Sequence, residues 1–315
     1  FIAGADIREF GKPLLPPSLP DICLSIENLN KPVVAVLHGT ALGGGLEVAL
    51  SAHARVALPG TKLGLPEVNL GILPGAGGTQ RTPRLIGIPA ALDMVTTGRH
   101  VPAEEALELG LIDRIQGGQP RDVALSMATA ALKGDLPTRS TASLTVVPND
   151  AAIQDTAEAL KAKQPHLFSP HKCVEAIAAA STLPFADGLK RERELFLECM
   201  ESPQRTGLMH AFFAERAVAD IPEKTAQARP IEALGVIGGG QMGSGIATAA
   251  LIAGLPVTLV ERDTASLEKG KASIEKNLAA AVKRGKLSPE KHDEILSHAL
   301  TCTTDRQDLS ESDLI

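Results

Sequence analysis

The chain has 315 residues, enough for about two domains, and its 44% hydrophobic and 22% charged content suffices for a packed core. A net charge of −6, 2% aromatic residues and no long basic run argue against a nucleic-acid surface, which needs a basic footprint and stacking rings. No apolar stretch reaches the ~18 residues of a membrane span. The cysteines Cys23, Cys173, Cys199 and Cys302 are scattered with no C-x-x-C, so they read as reduced thiols of a cytosol-like compartment, with no disulfide frame and no metal site. Tyrosine and tryptophan are absent, which excludes a tyrosine acid within these residues.

In chain order, residues 31–37 (K-P-V-V-A-V-L) read as a strand, β-branched with proline near its start. Residues 46–54 read as a helix and 55–58 as a short strand. Glycine and proline make 72–78 a loop. A helix begins at Thr79, and two more cover 89–97 and 102–109, each opened by proline. Gly110 ends the last of these and 111–115 is extended. From 121 to 220 the pattern is helical and alanine-rich; 187–200 is one clear helix, and Ser202-Pro203 restarts another. Residues 221–230, with two prolines, read as a linker. The chain opens at Phe1 inside a motif and closes at Ile315 where a strand begins, so it reads as an internal fragment.

Two glycine-flanked segments carry the chemistry. The first, L-G-G-G-L-E, ends at Glu47; the second, G-L-P-E-V-N-L-G, holds Glu67 and runs on into P-G-A-G-G-T. Glycines ahead of a helix free backbone N–H groups to face a ligand. A carboxylate in that helix's first turn lies close to the same ligand, and a second on a proline-stiffened turn completes an acid/base pair. Amide donors aimed at an oxyanion, with two carboxylates beside it, suit proton transfer next to a carbonyl. Read singly, Glu47 is a helix N-terminal acid and Glu67 a solvated turn residue; the joint pattern favours catalysis. Gly75, Gly77 and Gly78 are expected mainly to shape the pocket wall, and His38 to pack at a strand end. Asp6 reads as a local turn acid, and Cys23 and Cys199 as core residues.

A second motif follows the linker. The apolar strand 234–237 meets G-x-G-x-x-G at Gly238, Gly240 and Gly243, with Gln241 and Met242 between the last two. A helix over 244–253 and a strand over 256–260 follow. Glu261 lies about 20 positions beyond the first glycine, the spacing of a ribose-binding acid. An acid there favours NAD over NADP, because it repels a 2′-phosphate. Asp263 is the alternative acid and suits a helix cap; the Lys/Glu-rich run 267–284 reads as a solvated helix face.

The stretch F-I-A-G-A-D-I-R-E-F at residues 1–10, L-G-G-G-L-E and G-L-P-E…P-G-A-G-G-T resemble the crotonase, or enoyl-CoA hydratase/isomerase, family. G-V-I-G-G-G-Q-M-G-S-G-I-A at 235–247 resembles the NAD-binding domain of 3-hydroxyacyl-CoA dehydrogenases. Their order, with R-E-R-E-L-F and H-A-F-F-A-E-R between them, is similar to that of multifunctional fatty-acid β-oxidation enzymes. The resemblance implies an α/β fold: a crotonase-like ββα spiral core over 1–120, a helical extension and connector over 121–220, a linker over 221–232 and the start of a Rossmann domain over 233–315. It implies an oxyanion hole from the N–H groups of Ala5 and Gly44, acid/base catalysis by Glu47 and Glu67 on a shared water, and Arg8 near the CoA nucleotide. The cofactor-binding candidates are Gly238, Gly240, Gln241, Met242, Gly243 and Glu261, with NAD as cofactor and a coenzyme A thioester as substrate.

The implied function is hydration of trans-2-enoyl-CoA and NAD-dependent oxidation of the 3-hydroxyacyl-CoA. Δ3–Δ2 isomerisation is also compatible, since it needs only proton shuttling. The resemblance places the dehydrogenase's catalytic histidine, its partner glutamate and the active-site serine beyond Ile315. A thiolase subunit or self-association is left open, and the location is cytoplasmic, or peroxisomal in a eukaryote. The alternative is a crotonase-type isomerase or hydrolase with a non-catalytic NAD-binding half. Two glutamates at these positions count against it, because those chemistries often use a different set of acids.

Overall fold

The computed structural model describes residues 1–4, 6–9, 16–218, 220–223 and 225–315. The chain divides into two units, Phe1–Ile221 and Pro222–Ile315. The first unit runs through α1 (Leu19–Glu27), β1 (Val34–Leu37), β2 (Thr40–Leu42), α2 (Gly44–Ser51), β3 (Ala54–Ala57) and β4 (Lys62–Gly64). A 3₁₀ turn, Pro66–Leu70, precedes α3 (Gly78–Thr97), β5 (His100–Pro102), α4 (Ala103–Leu109) and β6 (Arg114–Ile115). Five helices complete it: α5 (Pro120–Lys133), α6 (Asp150–Lys163), α7 (Ser169–Thr182), α8 (Phe185–Glu201) and α9 (Pro203–Ala217).

The expected strand at 31–37 narrows to Val34–Leu37, because Pro32 has no N–H to give a ladder. The helix expected from Leu46 starts earlier, at Gly44. Gly43 takes the N-cap position at φ 52, a conformation costly for any residue with a Cβ, and Glu47 N–H donates back to the Gly43 carbonyl at 3.0 Å. The runs expected from Thr79 and over 89–97 form one element with a break at Gly87, whose φ is 76 and ψ 167. Strands β2, β4 and β5 were not expected; at three residues each they are too short to show a period in the sequence.

Two three-stranded sheets result, β1-β3-β6 and β2-β4-β5. In the second, β2 and β4 run parallel with Leu42 opposite Gly64. Both chains therefore leave the sheet at the same end, one toward Glu47 and the other toward Glu67. Leu37, Leu46, Leu50 and Leu63 from the strands and α2, with Leu73 of the loop before α3, share one core cluster with Cys173 and Ile177 of α7 and Leu195 and Cys199 of α8. Each fully buried leucine contributes roughly 1.5–3 kcal/mol. Burial also pushes the Cys23 thiol up to about 11 and the Cys199 thiol up to about 12, so neither is a ready nucleophile.

The second unit comprises β7 (Leu234–Ile237), α10 (Gln241–Ile252), β8 (Val257–Val260), α11 (Thr264–Lys283), α12 (Pro289–Glu294) and β9 (Leu300–Thr303). Its sheet is β7-β8-β9, parallel throughout, and Leu314 bridges in parallel to Leu234 on β7. The strand order thus reverses at β7, which is where open α/β sheets place a ligand crevice. Helix α11 buries Gly270, Ile274, Leu278 and Ala281 along one stripe, and Asp263 caps it by accepting the Ser266 N–H at 2.7 Å. Among the described residues no helix is long and apolar enough to cross a membrane.

Candidate active site

Glu47 occupies the first turn of α2 and is 2% exposed. Its Oε1 accepts the N–H groups of Ala76 at 2.7 Å and Gly78 at 2.8 Å. Burial raises its pKa; those two donors and the Arg81 guanidinium pull the other way. Glu67 lies in the 3₁₀ turn and is half-buried, but its Oε2 is buried with no hydrogen-bond partner among the described residues. Burial, then the charge of Glu47 and that of Glu192, hold its pKa well above the usual carboxylate range. Two N–H donors and the Arg81 guanidinium favour the Glu47 anion, whereas only its own backbone N–H favours that of Glu67, so the arrangement favours an ionised Glu47 beside a protonated Glu67. Pairs whose environments separate their pKa values in this way suit a base and an acid.

The route from sequence to this geometry is short. Parallel pairing of Leu42 with Gly64 is continued by Gly43 N–H donating to the Gly64 carbonyl at 2.9 Å. A Cβ on Gly43 would lie 2.9 Å from Glu67 Oε1, so glycine at that position lets the second acid approach the start of α2. Gly43→Ala is expected to lose most catalytic activity, through the positive φ and the displaced Glu67, at a stability cost of about 1–3 kcal/mol. Steady-state rates and thermal unfolding of the variant check this.

Gly44 is the first residue of α2 and half-buried, one of the N-terminal positions whose N–H has no intrahelical partner. Ile2 lies alongside, accepting the Leu42 N–H at 3.2 Å. Ala5, the other expected oxyanion donor, lies outside the described residues. Arg8 is at the surface, its side chain 76% exposed, with Nε and Nη2 each 3.0 Å from the Asp6 carboxylate. Asp6 also accepts the Arg8 N–H, as a local turn acid does.

One expectation needs correction. Gly77 and Gly78 do more than shape a wall, because their N–H groups hold buried carboxylates. Gly78 serves Glu47, and Gly77 donates to Glu192 Oε1 at 2.6 Å. Only Gly75 behaves as wall, lying against the Phe196 ring. Glu192 was missed by the sequence reading, since in R-E-R-E-L-F it looks like one of several alternating charges. The usable signal was its spacing: Gly188, Glu192, Leu195 and Cys199 form the buried stripe of α8, and a charge on an otherwise apolar stripe is unusual. Glu192 is 1% exposed, and burial with the nearby Glu47 pushes its pKa up to about 8 against the donors on the turn. Also missed was the buried pair Arg81–Glu27 at 2.7 Å, which backs the same turn through Arg81 Nη1 donating to the Ala76 carbonyl at 2.9 Å.

In the second unit the three motif glycines differ in surroundings. Gly238 sits at φ 92 in the tight turn, and a Cβ on Gly243 would collide with the Gly238 carbonyl. Gly240, the N-cap of α10, faces open space, which suits the approach of a pyrophosphate. The helix begins at Gln241, earlier than expected, so Gln241, Met242 and Gly243 form its first turn; Met242 is 77% exposed. Glu261 follows β8 directly, and its Oε1 accepts the Gly239 N–H at 2.7 Å. The acid is thereby held at the glycine turn, and the residues present fit a dinucleotide.

Fold and site together define a class: an α/β unit with two close carboxylates at the shared end of parallel strands, followed by a dinucleotide-type unit. Residues 1–164, more than half of the chain, match the family Enoyl-CoA hydratase/isomerase. Residues 233–315 match the 3-hydroxyacyl-CoA dehydrogenase, NAD binding domain. The chain belongs to the enoyl-CoA hydratase/isomerase family, with a crotonase-type fold followed by the start of a Rossmann NAD-binding domain. It is 42% identical over 286 residues to the peroxisomal bifunctional enzyme of Cavia porcellus, covering 87% of this chain and 39% of that protein. With the Danio rerio protein of the same name it shares 42% identity over 325 residues, 100% of this chain and 44% of the relative. A peroxisomal fatty acid beta-oxidation multifunctional protein of Arabidopsis thaliana is 39% identical, covering 94% of this chain and 44% of that protein. The chain thus spans less than half the length of these curated relatives.

Proposed function

We propose that the first unit hydrates trans-2-enoyl-CoA thioesters and that the protein then oxidises the 3-hydroxyacyl-CoA with NAD. The observation that carries the hydratase reading is the close, differently supported pair Glu47 and Glu67 at the start of α2. Glu47, ionised, takes a proton from water as the water oxygen bonds to C3. Glu67, protonated, delivers its proton to C2, and exchange with solvent restores both groups. Gly44, with Ala5 as its expected partner, stabilises the enolate oxygen that develops at the thioester; such a donor is worth about 3–4 kcal/mol. The same two acids can move a proton between C4 and C2, which supports a Δ3–Δ2 isomerase activity beside hydration. Arg8, being exposed, is available to the CoA nucleotide phosphates.

NAD supplies the hydride acceptor when bound. The N-terminus of α10 at Gly240, Gln241, Met242 and Gly243 would hold its pyrophosphate, with Gly238 shaping the turn, and Glu261 would accept from the ribose hydroxyls. The relatives' names carry a peroxisomal location, and we extend it to this protein as part of the same reading.

Loss of crotonyl-CoA conjugation on mixing with the full-length protein tests the first activity, and NADH formation from 3-hydroxybutyryl-CoA tests the second. A protein that forms NADH but leaves crotonyl-CoA intact would remove the hydratase assignment. Glu261→Ala is expected to weaken NAD binding by about 10- to 100-fold, the loss of a charge-assisted hydrogen bond, while crotonyl-CoA hydration is unchanged. Titration of NAD by fluorescence or calorimetry checks it.

A further inference from the structure

We propose that Glu192 of α8 is a positioning residue for the acid pair: it grips the turn ahead of α3 so that the Ala76 and Gly78 N–H groups stay on the Glu47 carboxylate. This inference rests on the hydratase reading above and deepens it.

The start of α3 has no capping side chain, since its N-cap is Gly77. Its orphan N–H groups still need partners in a buried place. Two carboxylates from distant parts of the chain supply them in alternation. Ala76 N–H and Gly78 N–H donate to Glu47, at 2.7 and 2.8 Å. Gly77 N–H and Thr79 N–H donate to Glu192, at 2.6 and 3.0 Å. The Thr79 hydroxyl adds a third bond to Glu192 at 2.5 Å, its direction set by Gln80 Nε2 donating to the same hydroxyl at 3.0 Å. Successive N–H groups of the turn thus point alternately to the two acids, and neither set can rotate without breaking the other.

Helix α8 is built for this contact. Gly188, Glu192 and Phe196 recur every fourth residue and so share one face. Gly188 has no room for a Cβ beside Gln80 Oε1, and Phe196 packs on Gly75. Gln80 Nε2 also donates to the Ala176 carbonyl of α7 at 2.8 Å, tying a third element to the turn. The ionisable groups facing Glu192 are Glu47 of α2, Glu67 of the 3₁₀ turn and Cys173 of α7. Arg81 of α3 stands behind Gly77. On α8 itself Lys190 and Glu194 are exposed and Arg191 half-buried, all three paired at the surface. Removing the Glu192 carboxylate leaves two buried N–H donors without partners, and the turn is then free to leave Glu47.

The test is steady-state hydration of crotonyl-CoA by the full-length protein across pH. Glu192→Ala is expected to lose about 10- to 100-fold in kcat, the scale of a misplaced catalytic group, with KM little changed. The acid limb of the kcat–pH profile is expected to move to higher pH, because the Glu47 anion loses donors that favour it. Simple loss of folded protein would lower the amplitude and leave that limb in place. Glu192→Gln, of equal size, retains one acceptor oxygen and is expected to recover part of kcat; it carries the same test should the alanine variant not fold. Wild-type kcat with an unmoved acid limb overturns the proposal, as does a loss confined to KM. A wild-type protein that does not hydrate crotonyl-CoA overturns the hydratase reading itself and this inference with it, an outcome recognised because the unaltered protein is the inactive sample.

Discussion

Glu67→Gln is expected to slow crotonyl-CoA hydration by about 100-fold or more, near the low end for loss of a general acid. The substitution is nearly isosteric. Burial beside Glu47 already holds the Glu67 side chain toward its neutral form, so a neutral amide leaves local charge and packing almost unaltered. What disappears is the proton for C2. Glu47→Gln is expected to lose a similar factor for the opposite reason: the amide cannot take a proton from water, although its oxygen can still accept from Ala76 and Gly78. Residues acting as a unit do not add, so the double variant should be little worse than either single one. Rates from the loss of conjugation, with acyl-CoA affinity measured separately by calorimetry, check the result. If both single variants kept more than about a tenth of wild-type kcat, the acid/base assignment would be wrong.

Arg81→Met is expected to destabilise the first unit by about 3–5 kcal/mol, the range for breaking a buried ion pair by removing one partner. Both side chains are essentially sealed, at 0% and 2% exposure, with Nη2 2.7 Å from Glu27 Oε2. In the variant, the Glu27 carboxylate retains the Ala142 N–H at 2.8 Å but loses its counter-charge. The Ala76 carbonyl loses its donor as well. The urea midpoint for loss of hydratase activity should fall by about 1 M or more, given m values of ~1–3 kcal/mol/M. The double variant Arg81→Met/Glu27→Met should regain much of this, because a buried pair replaced as a whole by apolar side chains is often neutral. A midpoint unchanged in the single variant would mean that the pair contributes no more than a surface one.

Much of the acid-pair region could be read before any coordinates, because its signals are local. Three glycines before a helix and an acid in the first turn announce Gly44 and Glu47, and a proline-led turn announces Glu67. The glycine motif at 238–243, with a strand before it and an acid after the next strand, is equally local. Helix starts were less accurate: α2 begins at Gly44 and α10 at Gln241, since glycines that look like loop residues can carry the first turn. Glu192 was hidden for a different reason. Its partners are Gly77 and Thr79, more than a hundred positions away, and nothing in R-E-R-E-L-F names them.

The amino-acid order alone determined which residues are chemically equipped: the two glutamates, the amide-bearing glycine turns and the acid after β8. The glutamates and glycine turns depend on spacing within one or two turns of chain, and the acid after β8 on a fixed spacing across one strand–helix–strand unit, both of which sequence states directly. The tertiary structure decided which of them work together. Parallel pairing of Leu42 with Gly64 brings Glu47 and Glu67 to one end of a sheet. The unequal supply of N–H donors then sets the two carboxylates apart, and a helix more than a hundred positions along the chain closes the turn that supplies them. Those decisions rest on desolvation and on hydrogen bonds between distant segments, energies that exist only once the chain has packed.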